Sequence, residues 1–261
     1  MSRAALVAVA ALAVAASFLL AGCTGSDADD EAGTTTSAAA PTMSSVAVYF
    51  LRDGKVAPVR RTIAATPAVA RAAVSSLFEG PTAEEEADGL TTAIPSGTTL
   101  GGIDVADGVA TVDLRGPLPT SPEQRLRVLA QLVATLTRFS TVHGVQLGDG
   151  RVWNRHAIEG QTPQILVESP LPGDTVRSPI RVRGTANVFE ATVSLEVRDE
   201  GENVVQRGFT TATAGTGTRG TFDAELAVPD VEGPVTIVAF EASAEDGRPL
   251  HVVEVPIAVN H

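Results

Sequence analysis

The chain has 261 residues with 19 basic and 31 acidic side chains, and its formal net charge is −12. This balance argues against nucleic acid and anionic lipid headgroups as partners, because both attract Lys and Arg. Hydrophobic residues make up 44% of the chain and aromatic residues 4%, which indicates folded domains with aliphatic cores. The single cysteine excludes an internal disulfide framework.

The first residues are typical of an export signal. Arg3 supplies one positive charge, and residues 4–20 follow without a charge. The stretch ends in Leu20-Ala21-Gly22-Cys23, which resembles the lipobox of bacterial lipoproteins. We therefore expect residues 1–22 to be a signal peptide that is cleaved between Gly22 and Cys23, and we expect Cys23 to carry diacylglycerol with acyl chains such as palmitate. The alternative is an ordinary signal peptide or an uncleaved anchor in which Cys23 is incidental.

Residues 23–45 are expected to form a disordered, lipidated tether. From Thr24 to Ser45 the sequence has no Lys or Arg and no periodic apolar pattern, so the segment cannot bury enough surface to offset its ordering entropy. A flexible chain of this length spans roughly 25 Å. Glycosylation of its Thr and Ser side chains is an alternative role for this composition.

Residues 46–160 are predicted to form the first domain, and turn signals locate two hairpins within it. Asp53-Gly54 and Asp107-Gly108 each separate two apolar segments, a pattern that favours a tight turn between antiparallel strands. Strands are expected at 46–51, 56–63, 103–105, 109–114 and 142–147.

Helices are predicted between these strands. Thr66-Pro67 is expected to begin a helix over 67–79 with Thr66 as N-cap, and Thr82-Ala83-Glu84-Glu85 has the pattern of a capping box. Ser121 is expected to cap a longer helix over 122–139, which carries an apolar stripe at helical spacing. Strands that alternate with helices predict an α+β or α/β domain.

The helical period disappears after Gln161-Thr162-Pro163, and residues 163–261 are predicted to form a second, all-β domain. About seven short strands separated by Gly, Pro and Asp turns are typical of an immunoglobulin-like sandwich. Each domain is expected to fold independently. The strands are expected at 165–169, 180–185, 192–198, 204–213, 221–228, 235–244 and 250–259.

The two halves together resemble a known pair of domains. Residues 46–158 resemble the GerMN domain of bacterial sporulation and germination lipoproteins, and residues 165–259 look like the immunoglobulin-like Gmad domain that often accompanies it. The resemblance implies an assembly module outside the membrane, with no catalytic residues to carry over. The sequence departs from the family pattern at Leu114-Arg115-Gly116-Pro117, where relatives tend to have a polar, Ser-containing turn. The segments that carry the resemblance are Val48-Tyr49-Phe50, Leu77-Phe78-Glu79-Gly80-Pro81, Ile94-Pro95-Ser96-Gly97-Thr98, residues 107–114, residues 131–137, Pro170-Leu171-Pro172-Gly173-Asp174 and residues 180–186.

Several motifs resemble functional sites. Residues 215–220 match G-x-G-x-x-G, but an alternating strand pattern follows where dinucleotide binding requires a helix, which favours a sandwich loop. The run Glu84-Glu85-Glu86 favours a solvated first helical turn over a cation site. Trp153 is expected to pack between the domains, with an interface anchor as the alternative. The histidines show no metal-ligand spacing; they are His143, His156, His251 and His261.

The sequence therefore predicts no catalytic residues, no cofactor and no metal site. We expect a non-enzymatic lipoprotein on the extracytoplasmic face of the membrane, anchored through Cys23, that binds an envelope protein or itself through the exposed faces of the two first-domain helices. A receptor for a small ligand or wall glycan between the domains is the alternative, and an envelope hydrolase ranks third.

Overall fold

The computed structural model describes residues 42–148 and 150–260. The predicted signal peptide, the predicted lipidation site Cys23 and nearly all of the predicted tether lie outside the described residues. Within the described ranges, no helix is long and apolar enough to cross a membrane. The expected tether of 23–45 is too long at its C-terminal end, because Met43 already pairs with Ala64 in the first strand.

The first domain contains two small sheets and three α-helices. One sheet has the order β2-β1-β3, and the other has the order β4-β5-β6-β7 with β5 and β6 parallel. The turns at Asp53-Gly54 and Asp107-Gly108 connect antiparallel strands as predicted. The elements are β1 Met43–Arg52, β2 Lys55–Ala64, α1 Val69–Phe78, α2 Ala83–Ala87, β3 Leu90–Thr91, β4 Thr99–Ala106, β5 Val109–Arg115, α3 Pro122–Leu136, β6 Gly144–Leu147, β7 Val152–Trp153 and a 3₁₀ helix His156–Gln161.

The long helix α3 lies at the centre of this domain. It contacts β1 and α1 as well as β6 of the other sheet, and its residues 128–136 are all buried. Two of these, Gln131 and Thr135, are polar. They form hydrogen bonds with backbone groups of β1 where the short strand β3 does not pair with it. Tyr49 N–H donates to Thr135 Oγ1 at 3.1 Å, and Gln131 Nε2 donates to Tyr49 O at 3.3 Å. The buried amide and hydroxyl therefore take the place of a neighbouring strand.

The helix ends agree with the sequence in part. Ser121 caps α3 and the Thr82–Glu85 capping box forms as predicted. Thr66 is not the N-cap of α1, because its hydroxyl accepts the N–H of Ala68, and α1 begins at Val69. At the other end, α3 stops at Leu136 rather than Phe139, since residues 138 and 139 bond back three residues in a tighter turn.

The second domain is a two-sheet β-sandwich, which confirms the predicted fold class of an α+β domain followed by an immunoglobulin-like sandwich. Its sheets have the orders β13-β10-β8 and β12-β11-β14-β15-β9. The seven predicted strands are present, and β9 is an eighth that the sequence did not reveal. The strands are β8 Ile165–Ser169, β9 Thr175–Arg177, β10 Ile180–Ala186, β11 Thr192–Arg198, β12 Val204–Thr211, β13 Gly220–Leu226, β14 Gly233–Ala242 and β15 Pro249–Asn260.

Strand β8 belongs to both cores. Ile165 and Val167 pack in the hydrophobic core of the sandwich, whereas Leu166 packs in the core of the first domain. Glu168, on the same side of the strand as Leu166, accepts hydrogen bonds from the Tyr49 hydroxyl and Arg155 through Oε1 and from Arg138 through Oε2. The alternation of side chains along β8 thus fixes the sandwich against the first domain.

Candidate functional site

The first domain carries an apolar groove of about 600 Å³ beside the N-terminal end of α3. Its walls come from α3, from strands β5 and β6, from Trp153 and from the loop that connects β5 to α3. Aliphatic side chains dominate the lining, and they include Leu114, Leu118, Leu126, Leu129 and Leu147. The groove matches the size and character of a binding pocket.

The connecting loop that forms one wall is held by specific bonds. Thr98 Oγ1 donates to Pro117 O at 2.6 Å, and Arg125 Nε donates to Pro119 O at 2.7 Å. Gly116 adopts φ +95°, and a Cβ there would lie 2.5 Å from Gly97 O, so the loop requires glycine at this point. Between these fixed points Leu118 is left 48% exposed at the groove.

Trp153 lies at this groove and not between the domains as predicted. It packs against the first-domain core, and the Arg151 guanidinium carbon lies 3.9 Å from the centroid of its ring. The residues that line the groove all belong to the first domain.

The helix faces that were expected to bind a partner are largely inaccessible. On α3 the exposed residues are confined to the beginning of the helix, at 122–125, because the centre and C-terminal half are covered. On α1 the exposed residues are Arg71 and Ser75, which form a narrow polar strip. The accessible part of α3 is the part that borders the groove.

A second concavity of about 850 Å³ lies between the two domains. One wall is β2, the opposite wall is β15, and the base includes Ile165, Leu166 and Val167 of β8. This is where the alternative receptor hypothesis placed its ligand. The described residues that line the crevice include no aromatic ring.

The G-x-G-x-x-G segment is a structural loop between β12 and β13. A Cβ at Gly215 would lie 2.6 Å from Val188 O, and one at Gly220 would lie 2.2 Å from Ala214 N, so close backbone packing requires both glycines. Strand β13 follows directly, as expected for a sandwich loop. The loop also carries Arg219, which donates to both carboxylate oxygens of Glu159 in the first domain at 2.8 and 3.0 Å.

The remaining titratable candidates that the structure describes lie in different parts of the two domains. The Glu84–Glu86 run forms the first turn of α2, and Arg61 donates to both oxygens of Glu85, which holds the pKa of that carboxyl below its usual value. His143, His156 and His251 lie on separate elements, and His261 lies outside the described residues. Among the described residues, no group of three or more His, Cys, Asp or Glu side chains has the arrangement of a metal site.

Tyr49 is the most strongly perturbed of the titratable groups. Burial penalises its phenolate and the neighbouring Glu168 carboxylate adds repulsion, so the pKa of Tyr49 is raised above its usual range. The hydroxyl belongs to the domain junction and not to either concavity, which gives it a structural role.

Two family models match the chain. Residues 47–149 match the Germane family, described as sporulation and spore germination, and residues 164–248 match the Gmad2 family, described as the immunoglobulin-like domain of bacterial spore germination. The chain is a GerMN–Gmad-type protein. These matches confirm the resemblance seen in the sequence, and both domains are of the sporulation and germination type.

Solved structures similar to this GerMN–Gmad-type protein include two from one sporulation protein. The first GerMN domain of GerM from Bacillus subtilis is 24% identical, with 42% of this chain and 86% of that chain covered and a TM-score of 0.31. The tandem GerMN domains of GerM are 16% identical, with 73% and 64% covered and a TM-score of 0.34. A candidate lipoprotein from Clostridium perfringens is 15% identical, with 46% and 93% covered and a TM-score of 0.32. No curated protein matches the chain significantly.

Proposed function

We propose that this protein is a non-enzymatic envelope module, tethered to the outer face of the membrane through lipid on Cys23, and that its GerMN domain binds a partner protein in the apolar groove. The observation that carries the proposal is the groove itself, where a bonded loop presents Leu118 beside Trp153 and the leucines of α3. An exposed aliphatic side chain held at a concave apolar surface is typical of a protein-binding site.

The occupant that we propose is an apolar segment of a partner protein with an acidic residue beside its anchoring side chain. The lining is mainly aliphatic, so it selects an aliphatic or aromatic anchor. At the rim, Arg125 is fixed through its Nε to Pro119 O, and its guanidinium is exposed and suited to a carboxylate. Asp113 also lines the groove but is paired with Arg115, so Arg125 gives the rim a positive charge that favours an acidic residue on the partner.

The lipid tether rests on the lipobox residues and on the uncharged segment that precedes them. Two acyl chains on Cys23 are enough for stable anchoring, whereas one is marginal. A tether of roughly 25 Å keeps the folded domains close to the membrane. A membrane partner is then met at high effective concentration, so a weak interface suffices.

The groove is tested by site-specific cross-linking in the native envelope. A photo-activatable residue at position 118 should give a discrete cross-linked species, whose partner is then identified by mass spectrometry. In the matched control the same residue replaces Val205, an aliphatic side chain that is 40% exposed on the Gmad domain. We expect no such species at 205. Equal cross-linking from both positions would contradict docking in the groove. A second test adds Leu126→Glu to the variant with the photo-activatable residue at 118, and an unchanged cross-linking pattern there would also contradict it.

The tether is tested by membrane fractionation. Cys23→Ser should release the protein from membranes or mislocalise it, because no thiol remains to be acylated. Ser26→Ala, in the same segment, serves as the control and should leave the fractionation unchanged. Integral membrane association of the Cys23→Ser protein would show that the lipoprotein hypothesis is wrong.

A further inference from the structure

The crevice between the domains is bordered by two strand edges. Strand β2 is the terminal strand of its sheet, and it supplies Lys55 to Arg60 to one wall. On the opposite wall β15 supplies Val252 to Pro256, and the next strand, β9, pairs only with residues 258–260. The part of β15 that borders the crevice is therefore an edge as well. Strand edges carry backbone groups that can pair with a further strand.

The register of β2 identifies its outward-facing groups. Tyr49 lies opposite Pro58, yet its N–H and C=O bond to Thr135 and Gln131 on the other side of β1. Tyr49 and Pro58 are therefore a non-hydrogen-bonded pair, and the backbone groups of Pro58 point away from β1. By the alternation of an antiparallel ladder, Val56 and Arg60 also direct their backbone groups outward.

The same argument applies to β15. Gly173 N–H donates to Pro256 O at 2.8 Å, and Ala258 N–H donates to Asp174 O at 2.8 Å. Both bonds are made on the side away from β14, so Glu254, two residues before Pro256, presents its N–H and C=O on that side too. Pro58 and Pro256 remove one donor from each edge. They limit unspecific pairing; Pro58 keeps its carbonyl as an acceptor, whereas the carbonyl of Pro256 already accepts the N–H of Gly173.

The dimensions suit a short extended segment. At one end of this stretch of β2 the Arg60–Asp174 ion pair joins the two domains, and at the other end Lys55 Nζ contacts Gly160 O within the first domain. The stretch from 55 to 60 corresponds to about 17 Å of strand at roughly 3.3 Å per residue, which is room for about six residues. The base of the crevice is aliphatic, so it suits alternate apolar side chains of such a segment.

The charges of the crevice define the occupant further. Arg60 and Glu85 are paired with Asp174 and Arg61. Of the other charged residues that line the crevice, Asp53, Glu84, Asp88 and Glu254 are acidic, whereas Arg52 and Lys55 are basic, so negative charge is in excess. An incoming segment that carries Lys or Arg would complement this excess.

We propose that the crevice binds an extended, basic and aliphatic peptide segment of a partner protein as an added strand along β2, β15 or both. This mode is β-augmentation, in which main-chain bonds supply affinity and alternate side chains supply specificity. The site needs both domains, whereas the groove of the proposed function lies in one. The Gmad domain then contributes directly to binding, because it supplies the second edge and one of the carboxylates.

The test uses residues 24–261 and the acetylated, amidated hexapeptide Val-Lys-Val-Thr-Val-Lys, with binding followed by backbone amide NMR and hydrogen exchange. At saturation we expect exchange at Val56, Arg60 or Glu254 to slow by about tenfold. A peptide with N-methyl groups on alternate residues should not bind, since it cannot form the ladder. Glu84→Gln combined with Asp88→Asn should weaken binding roughly twofold to fivefold, as expected for exposed charge pairs.

Three results would overturn the proposal. They are absence of protection at millimolar peptide, equal binding of the N-methylated peptide, and protection confined to another edge strand, such as β4 or β12. Leu118→Glu serves as the control that separates this site from the groove, and it should leave peptide binding unchanged. A loss of peptide binding in that variant would place the peptide in the groove and refute the crevice site.

Discussion

Removal of the Glu168 carboxylate should destabilise the first domain although Glu168 belongs to the second. The carboxylate accepts hydrogen bonds from Tyr49, Arg138 and Arg155, all of which lie in the first domain. Its side chain is only 12% exposed. In Glu168→Leu these three donors lose their acceptor at a place where water has limited access.

The expected loss follows from the exposure of each partner. The Arg138 side chain is 34% exposed and can be rehydrated, so its pair contributes at most about 1 kcal/mol. Arg155 and the buried Tyr49 hydroxyl lose charge-assisted bonds, each of which contributes about 1–2 kcal/mol after discounting for partial solvent access. We expect a total loss of about 2–5 kcal/mol. Glu168→Gln, which keeps one acceptor oxygen, should lose about half of that.

Urea unfolding followed by tryptophan fluorescence measures this effect, because Trp153 is the only tryptophan and lies in the first domain. The matched control is Glu225→Leu, an exposed position on the same sheet as β8, which should change stability by about 0.5 kcal/mol or less. If Glu168→Leu shifts the fluorescence midpoint no more than the control does, the polar junction does not stabilise the first domain and the reasoning is wrong.

Two further perturbations test the interior. Since the folded-state pKa of Tyr49 is raised above the usual 10.0, the unfolded chain ionises first, and stability should fall by up to about 1.4 kcal/mol per pH unit above pH 10. Tyr49→Phe should remove that dependence in alkaline urea titrations; an unchanged slope would contradict it. Gln131→Leu leaves Ala93 N–H and Tyr49 O without their hydrogen-bond partner and should lower the free energy of unfolding, measured in urea, by about 2–5 kcal/mol. Gln124→Leu, at an exposed position, should be nearly neutral.

The sequence predicted the elements whose causes are local. Asp107-Gly108 identified a hairpin because both residues adopt positive φ there, and the β8 and β11 boundaries agree with the predicted ones. The capping box at Thr82 formed because its two partners are three residues apart. Thr66 does not cap α1. Its hydroxyl accepts the N–H of Ala68, two residues later, and the sequence does not distinguish this bond from a bond to an N–H of the helix.

The two concavities could not be predicted, because each depends on contacts between distant residues. The groove requires the loop bonds Thr98–Pro117 and Arg125–Pro119, and the crevice requires β2 to face β15 across about two hundred positions of chain. One buried contact did have a signal in the sequence. Gln131 interrupts the buried stripe of α3, and a polar side chain in such a place requires a buried partner, which proved to be the backbone beside β1.

The glycine motif at 215–220 positions a side chain of the second domain that contacts the first domain. Its glycines allow the loop to pack against the backbone near Val188, and from there Arg219 reaches Glu159 at the C-terminal end of the first domain. Arg219 also donates to Pro163 O at 2.7 Å, so one side chain forms hydrogen bonds on both sides of the interdomain boundary. Glu168 makes the complementary contact from β8. Polar junctions of this kind are weaker than hydrophobic ones and permit small domain movements. A peptide that bonds to both strand edges would therefore tighten the junction, and binding in the crevice would depend on Arg219 without contact to it.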